Sequence, residues 1–283
     1  MKRLLTTGAA LAALIGTPAL AADMALKAPP PPPAPVWSWT GFYVGGNAGW
    51  VGERTSGTSD FVDTAFAPGN AEFSNPQSNA FSPSGFIGGF QAGYNWQTTK
   101  NFVLGVEGDF DWTRTSYSFC RQTDILFSVA CVDAPPTNID GFENIAGQTD
   151  WIATARARAG VTWDRFFFYG TGGAAWGNIK TTESLSCATD GCGGTSTLKL
   201  VASSTTTQTK EGWAAGLGAE GMLLPNWSLK AEWLYVDLGH LTNTFSTVGN
   251  AGGTESVVWS RSEHYNIVRV GLNYHFGGPF VTK

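Results

Sequence analysis

The stretch NFVLGVEGDFDW, residues 101–112, alternates with a period of two. Phe102, Leu104, Val106, Phe110 and Trp112 fall on one face, while Val103, Gly105, Glu107, Asp109 and Asp111 fall on the other, because successive side chains of an extended strand point to opposite sides. Three carboxylates at every second position could be catalytic acids, metal ligands or structural charges. The neighbouring segment WIATARARAGVTW, residues 151–163, repeats the pattern with the opposite sign: Trp151, Ala153, Ala155, Ala157, Ala159, Val161 and Trp163 form an apolar face, and Thr154, Arg156, Arg158 and Thr162 a polar one. Carboxylates on one strand therefore meet guanidiniums on the next.

Six more segments carry the same period: WTGFYVGGNAGWV (39–51), GFIGGFQAGYNW (85–96), FFFYGTGGAAWG (166–177), GWAAGLGAEGMLL (212–224), WSLKAEWLYVDL (227–238) and YNIVRVGLNYHF (265–276). Each has about a dozen residues, close to the roughly 9 to 11 of a tilted transmembrane strand. The connections alternate between short turns (QTTK, Asp164-Arg165, Pro225-Asn226) and loops of roughly 25 to 40 residues, the asymmetry of outer-membrane barrels. The sequence thus predicts an all-β, eight-stranded antiparallel transmembrane up-and-down barrel, with short periplasmic turns and long outward loops.

Energy decides which face meets lipid. An arginine on the lipid side costs about 2 to 4 kcal/mol at the bilayer midplane, so Arg156 and Arg158 belong inside. The interior of eight strands is just wide enough for side chains to fill. Glu107, Asp109, Asp111, Arg156, Arg158, Glu220, Lys230, Glu232 and Arg269 are then expected to form a charge ladder in the lumen. Pairing is the physical default, because lone charges in so narrow a space are costly; ion selectivity and proton chemistry are the other roles open to them. Trp96, Trp163, Trp227, Tyr274 and Phe276 fall at the short-turn ends, and Trp50, Trp112, Trp151, Trp176 and Trp213 at the opposite ends. They are expected to form girdles at the two membrane interfaces.

The chain begins MKRLLTTGAALAALIGTPALA, with the layout of a secretory signal peptide over residues 1–21. Residues 22–38 form a Pro-rich periplasmic lead, a spacer or a recognition strip. Residues 39–276 form the barrel, and 277–283 a short extension. The whole chain holds 17 Lys and Arg against 22 acidic residues; without Lys2 and Arg3 the imbalance widens to about −7, which gives no support to nucleic-acid binding. Export makes two local disulfides the expected state of the cysteines, Cys120 with Cys131 and Cys187 with Cys192, both in outward loops. Zinc is the rival, but the spacings lack the C-x2-C step.

No cofactor or metal site is expected. GLGAEG, residues 216–221, matches a dinucleotide fingerprint but lies in a strand rather than before a helix. His240 and His264 are expected near Asp237 and Glu263 at the outer rim, as solvated residues or as a surface metal or haem contact, and His275 is expected to point inward. No serine has a histidine and a carboxylate placed for hydrolysis.

With these residues placed, the chain resembles the alphaproteobacterial outer-membrane immunogenic proteins of rhizobial and Brucella type, similar in fold to the membrane domain of outer-membrane protein A. The likeness rests on the Pro-rich lead into WTGFYVGGNAGW, on GFIGGFQAGYNWQ, TARARAG, YGTGGAAWG, LKAEWLYVDLG and the closing VRVGLNYHF. The resemblance implies exposed antigenic loops, abundance in the envelope and a role in envelope integrity; with no triad placed, no enzymatic activity is expected. Some relatives are described as porins and some as haemin binders, so small-solute diffusion and surface ligand binding are the alternatives. The implied partners are outer-membrane lipid, lipopolysaccharide and the barrel-assembly machinery, which would read the aromatic last strand at Tyr274 and Phe276; the oligomeric state is left open.

Overall fold

The computed structural model describes residues 38–67, 71–122, 142–187, 199–248 and 254–276. Nine strands follow one another: β1 (Gly41–Ala67), β2 (Ala71–Phe81), β3 (Ser84–Gln97), β4 (Phe102–Gln122), β5 (Phe142–Trp163), β6 (Phe166–Cys187), β7 (Lys199–Leu224), β8 (Trp227–Val248) and β9 (Thr254–His275). All neighbours are antiparallel, in the order β2-β1-β3-β4-β5-β6-β7-β8-β9, and a β1–β9 ladder closes the ring. The all-β barrel expected from sequence is therefore present, with one more strand than expected. β2 and β3 both pair with β1, on Thr55–Ala67 and on Gly41–Gly52 respectively, so the closed ring itself passes through eight strands. Pro83 separates them: it has no N–H to give a ladder, and its carbonyl instead accepts the Glu53 N–H at 2.8 Å.

The walls are longer than the sequence period suggests. β4 has 21 residues and β5 22, where about a dozen were expected. Much of what reads as long loop is therefore strand. The outward halves are built from Thr, Ser and Val, residues that favour a pleated surface, but their two faces differ too little in polarity to stand out as membrane strands.

Those outward halves do not close. The β3–β4 ladder reaches only Ile87↔Thr113, and the β7–β8 ladder only Trp213↔Asp237. Beyond these points the described residues form two four-stranded sheets, β2-β1-β9-β8 and β4-β5-β6-β7, joined below by the full ring. Pro83 marks one seam. A bulge between Asp237 and His240 marks the other, where Gly239 takes φ 72° and its N–H donates to Asp237 Oδ1 at 2.7 Å, a backbone conformation that glycine adopts without steric cost. The two sheets face each other, with Asn243 on β8 donating to Glu183 on β6 at 3.2 Å and Arg261 on β9 donating to Thr181 at 3.1 Å.

The short-turn end is compact. β5 and β6 are joined by Asp164 and Arg165, with Asp164 at φ 54° as a tight hairpin demands. Strand β1 starts at Gly41 rather than at Trp39. Gly41 has φ 146°, and the Trp39 ring is buried, 5.3 Å from Phe167 and 5.8 Å edge-on to His275. The Trp39 backbone N–H donates to Gln97 Oε1 at 3.0 Å.

Candidate functional site

The lumen is stratified. At the short-turn mouth, Trp39, Val103, Phe167, Tyr169 and Met222 make one apolar cluster. At the outer side of the ring, Val51, Ile87, Ile152, Ala214, Leu234 and Ile267 belong to a larger one that continues between the two outer sheets. The charges lie between them. Every residue of the expected ladder points inward and is buried, whereas Phe102, Leu104, Val106, Phe110 and Trp112 of the opposite face are exposed on the outside.

Three cationic side chains from two strands, β5 and β8, converge on Glu107. It accepts from Arg156 Nη2 at 2.7 Å, from Arg158 Nη1 at 2.8 Å and from Lys230 Nζ at 2.9 Å. Arg156 also reaches Asp109 at 2.8 Å and Glu232 at 3.2 Å. Arg269 pairs with Glu232 at 2.7 Å, with Asp109 at 3.0 Å and closely with Asp111. Arg158 ends the ladder on Glu220 at 2.8 Å. These side chains are at most 1% exposed. Removing an ion from water costs several kcal/mol even after relaxation, and only close, multiply hydrogen-bonded partners offset it. Asp109 Oδ1 and Arg158 Nε are the ladder atoms left without a hydrogen-bond partner.

Several members of this network were not singled out by sequence. Tyr43 donates to Glu107 at 2.7 Å, Tyr169 to Glu232 at 2.9 Å, and the Asn47 amide to Asp111 at 2.8 Å. Strand parity does put Tyr43 and Asn47 on the inner face of β1, and that signal was available. What parity cannot show is the room each ring needs. A Cβ on Gly93 would come within 2.3 Å of Tyr43 Oη, and one on Gly218 within 2.4 Å of Tyr169 Oη. Gly93 and Gly218, the latter within GLGAEG, thus make room for rings, and GLGAEG lies in strand β7 rather than in a phosphate loop.

At the periplasmic mouth Ser228, His275 and Glu220 come together, a grouping the sequence reading did not find. Ser228 Oγ lies 2.8 Å from His275 Nε2 and 2.5 Å from Glu220 Oε1, and Glu220 Oε1 is 3.4 Å from the same Nε2. A relay needs the carboxylate on the opposite ring nitrogen, where it would orient the imidazole toward the serine. Here serine and carboxylate share one nitrogen beneath the Trp39 ring, an arrangement suited to satisfying buried polar groups.

Beyond the ring, the outer sheets enclose a second charged set. Arg261 lies 2.5 Å from Glu263, and Thr55 Oγ1 lies 2.9 Å from Glu53 and 2.8 Å from Glu263. One hydroxyl proton cannot serve two carboxylates, and burial pushes Glu263 up to about 8, Arg261 opposing and Glu53 adding to the shift. Burial likewise pushes Glu183 up to about 7, opposed by the Asn243 amide and reinforced by Glu143.

The remaining expectations fall as follows. Trp96, Trp163, Trp227 and Phe276 are exposed at the short-turn end, and Trp50, Trp112, Trp176 and Trp213 at the other; Tyr274 and Trp151 are part-buried on the same outer surface. His264 lies 3.6 Å from Asp237, and His240 is 2.8 Å from Ser262 Oγ; Glu263 points to the opposite side, into the interior. Among the described residues no group of His, Cys, Asp and Glu has the geometry of a metal site. Cys120 lies on β4 and Cys187 closes β6, so the expectation that both sit in loops is corrected. Cys131 and Cys192, like the signal peptide, most of the lead and residues 277–283, lie outside the described residues.

A closed ring with an apolar outer belt, two aromatic girdles and a salt-bridged charged interior defines a transmembrane β-barrel of the Gram-negative outer membrane. Sequence comparison gives its family: the family model described as outer membrane protein beta-barrel domain matches residues 7–276, and the chain belongs to that family. It is 34% identical over 275 residues to the 31 kDa outer-membrane immunogenic protein of Brucella melitensis biotype 1, covering 95% of this chain and 98% of that one. It is 27% identical over 203 residues to the 22 kDa outer membrane protein of Rhizobium leguminosarum bv. viciae, covering 72% of this chain and 66% of that one. Among solved structures, the outer membrane protein OprG from Pseudomonas aeruginosa is matched at TM-score 0.42 and 12% identity, over 86% of this chain and 100% of that one.

Proposed function

We propose that this outer-membrane barrel is a structural, surface-exposed envelope protein whose lumen does not conduct and which carries no enzymatic activity. The observation that supports this reading is the stratified lumen. Glu107, Asp109, Asp111, Glu220 and Glu232 are tied to Arg156, Arg158, Lys230 and Arg269, and apolar side chains cover the network on both sides. An ion entering would have to shed its water at an apolar layer and then displace a paired charge, two costs in series. A diffusion pore needs neither, because a selectivity filter offers its charges to the permeant ion.

Conductance of the refolded protein in a planar bilayer tests the proposal, with Arg156→Ala/Arg158→Ala beside it. A silent parent and a leaky double variant are expected. Steady ion-selective steps in the parent would make it a small porin and overturn the plugged reading.

A further inference from the structure

Three buried oxygens of the lumen accept no hydrogen bond, and they share one patch of the inner wall. Asn47 Oδ1 stands on β1, Gln91 Oε1 on β3 and Asp109 Oδ1 on β4. Their residues are only 8%, 3% and 7% exposed, so water outside the barrel does not serve them. β3 runs between the other two strands. Gln91 lies directly opposite Asp109, and Asn47 lies opposite Gly89, two residues along β3 from Gln91. Glycines keep the patch low: a Cβ on Gly89 would come within 2.5 Å of Asp111 Oδ1, and one on Gly271 within 2.7 Å of Gln91 Nε2.

Carboxylates fix which way each amide points, because an ionised carboxylate can only accept. Glu220 Oε1 takes an N–H of Asn273 at 2.7 Å, so Asn273 turns its oxygen to Gln91, whose Nε2 donates to it at 2.5 Å. Gln91 Oε1 is the atom that remains. Asp111 Oδ1 takes an N–H of Asn47 at 2.8 Å, and Asn47 Oδ1 remains. Turning over Asn47 or Asn273 would set an amide oxygen against a carboxylate. On Asp109, Thr154, Arg156 and Arg269 all donate to Oδ2, at 2.7, 2.8 and 3.0 Å, and Oδ1 remains.

The charges of the network point the same way. The five carboxylates of the ladder face four cations, Arg156, Arg158, Lys230 and Arg269, so with His275 neutral one negative charge is in excess. Buried acceptors without a donor in the chain call for a water or an ion. A water brings two protons and no charge, so it serves two of the three oxygens and leaves the excess in place. A cation serves all three and cancels it. Two amide oxygens and one carboxylate oxygen suit a hard cation rather than a transition metal; among the described residues no group of His, Cys, Asp and Glu could hold the latter.

We propose that this patch binds a sodium ion through Asn47 Oδ1, Gln91 Oε1 and Asp109 Oδ1, and that the ion completes the charge ladder. A single unit of excess charge selects a monovalent ion over calcium or magnesium. The site lies within the network on which the non-conducting reading rests, yet the two fail separately: conductance tests the plug, and the dependence of unfolding on sodium tests the ion.

The test is urea unfolding of the refolded full-length protein in lipid vesicles, in sodium chloride or in choline chloride of equal ionic strength. An ion bound only by the folded state stabilises it by mass action, so each tenfold rise in sodium should lower the unfolding constant about tenfold once sodium exceeds its Kd. Choline, too large for the patch, should have no such effect. Gln91→Met should lose the sodium dependence, and so should Gln91→Lys, whose ammonium takes the place of the ion. Lys180→Gln, exposed on the outer wall, should respond like the parent. Retention of the heat-modified electrophoretic shift establishes that each variant is folded. Thallium-205 NMR of the parent refolded in thallous acetate gives a readout that needs no variant, a bound resonance that sodium displaces. Equal unfolding in sodium and choline would overturn the proposal by leaving the patch to a water or a proton. Undiminished sodium dependence in Gln91→Met, or no thallium resonance displaced by sodium, would overturn it as well.

Discussion

Lys230 Nζ, on β8, donates to Glu107 Oε1, on β4, at 2.9 Å, although the two strands stand on opposite sides of the eight-membered ring. A single ammonium–carboxylate contact therefore spans the lumen. Because Glu107 also accepts from Arg156 and Arg158, Arg158 reaches Glu220 and Arg269 pairs with Glu232 and Asp109, the ladder ties five strands, β4, β5, β7, β8 and β9, across the barrel axis.

Removing one partner of such a pair leaves a buried charge without compensation, which costs about 3–5 kcal/mol. Lys230→Met is expected to lower stability by that order, read as a shift of the urea midpoint for the protein folded in lipid vesicles. The double change Lys230→Met/Glu107→Gln should recover part of the loss, since it removes a negative charge together with the positive one and restores the charge balance of the network. Equal midpoints for Lys230→Met and the parent would show that the cross-lumen contact carries no energy.

Trp39 closes the periplasmic mouth from a position just before the first strand. Trp39→Ala removes a large buried ring and should cost about 3–5 kcal/mol, seen as a lower temperature for loss of the heat-modified electrophoretic shift. Far-UV circular dichroism should keep its β signature, because Trp39 makes no ladder bonds. Substitution of the exposed Trp163 should leave that temperature nearly unchanged.

The outer sheets are expected to loosen as pH rises. Glu263 and Glu183 titrate near 8 and 7 in the folded protein and near 4.5 when solvated. Between those values the folded state holds protons that the unfolded state has released, so the stability they contribute is complete below about pH 4.5 and is lost as pH climbs through 7 to 8. Hydrogen exchange of the outward amides of β9 and β6 should quicken between pH 5 and pH 8.5 beyond the intrinsic base-catalysed rate, while the midplane amides keep their protection. Glu263→Gln should flatten the response in β9.

Cys120 with Cys131 and Cys187 with Cys192 are expected to form two local disulfides. Non-reducing digestion should release both as linked peptides. Reduction should hasten proteolysis outside the membrane without changing the migration of the protected barrel core, because every midplane contact is independent of them. Recovery of all four cysteines as thiols from protein isolated in its native membrane would exclude both bridges.

The period of two was sufficient for the membrane-spanning part. Side chains on a strand can point only inward or outward, so Val103, Glu107, Asp109 and Asp111 had to share a face, and the cost of guanidiniums in lipid decided that Arg156 and Arg158 lie on the inner one. The girdle tryptophans and the short turns followed from the same alternation. The outward halves carried no such signal, because Thr205, Thr206, Thr207 and their neighbours meet water on both faces and polarity no longer distinguishes inside from outside.

Other features depend on contacts between residues far apart in sequence. Sequence alone determined the fold class, the inner and outer faces, and which charges enter the lumen. Only the tertiary structure decided that Lys230 meets Glu107 rather than Glu220, because strand parity sets the direction of a side chain and barrel closure sets its height and its partner across the axis. The same closure placed Trp39 under the network, joined Ser228 with His275 and Glu220, and split the outer wall at Pro83 and Gly239. Each of these depends on which backbone hydrogen bonds remain available once eight strands have closed into a ring.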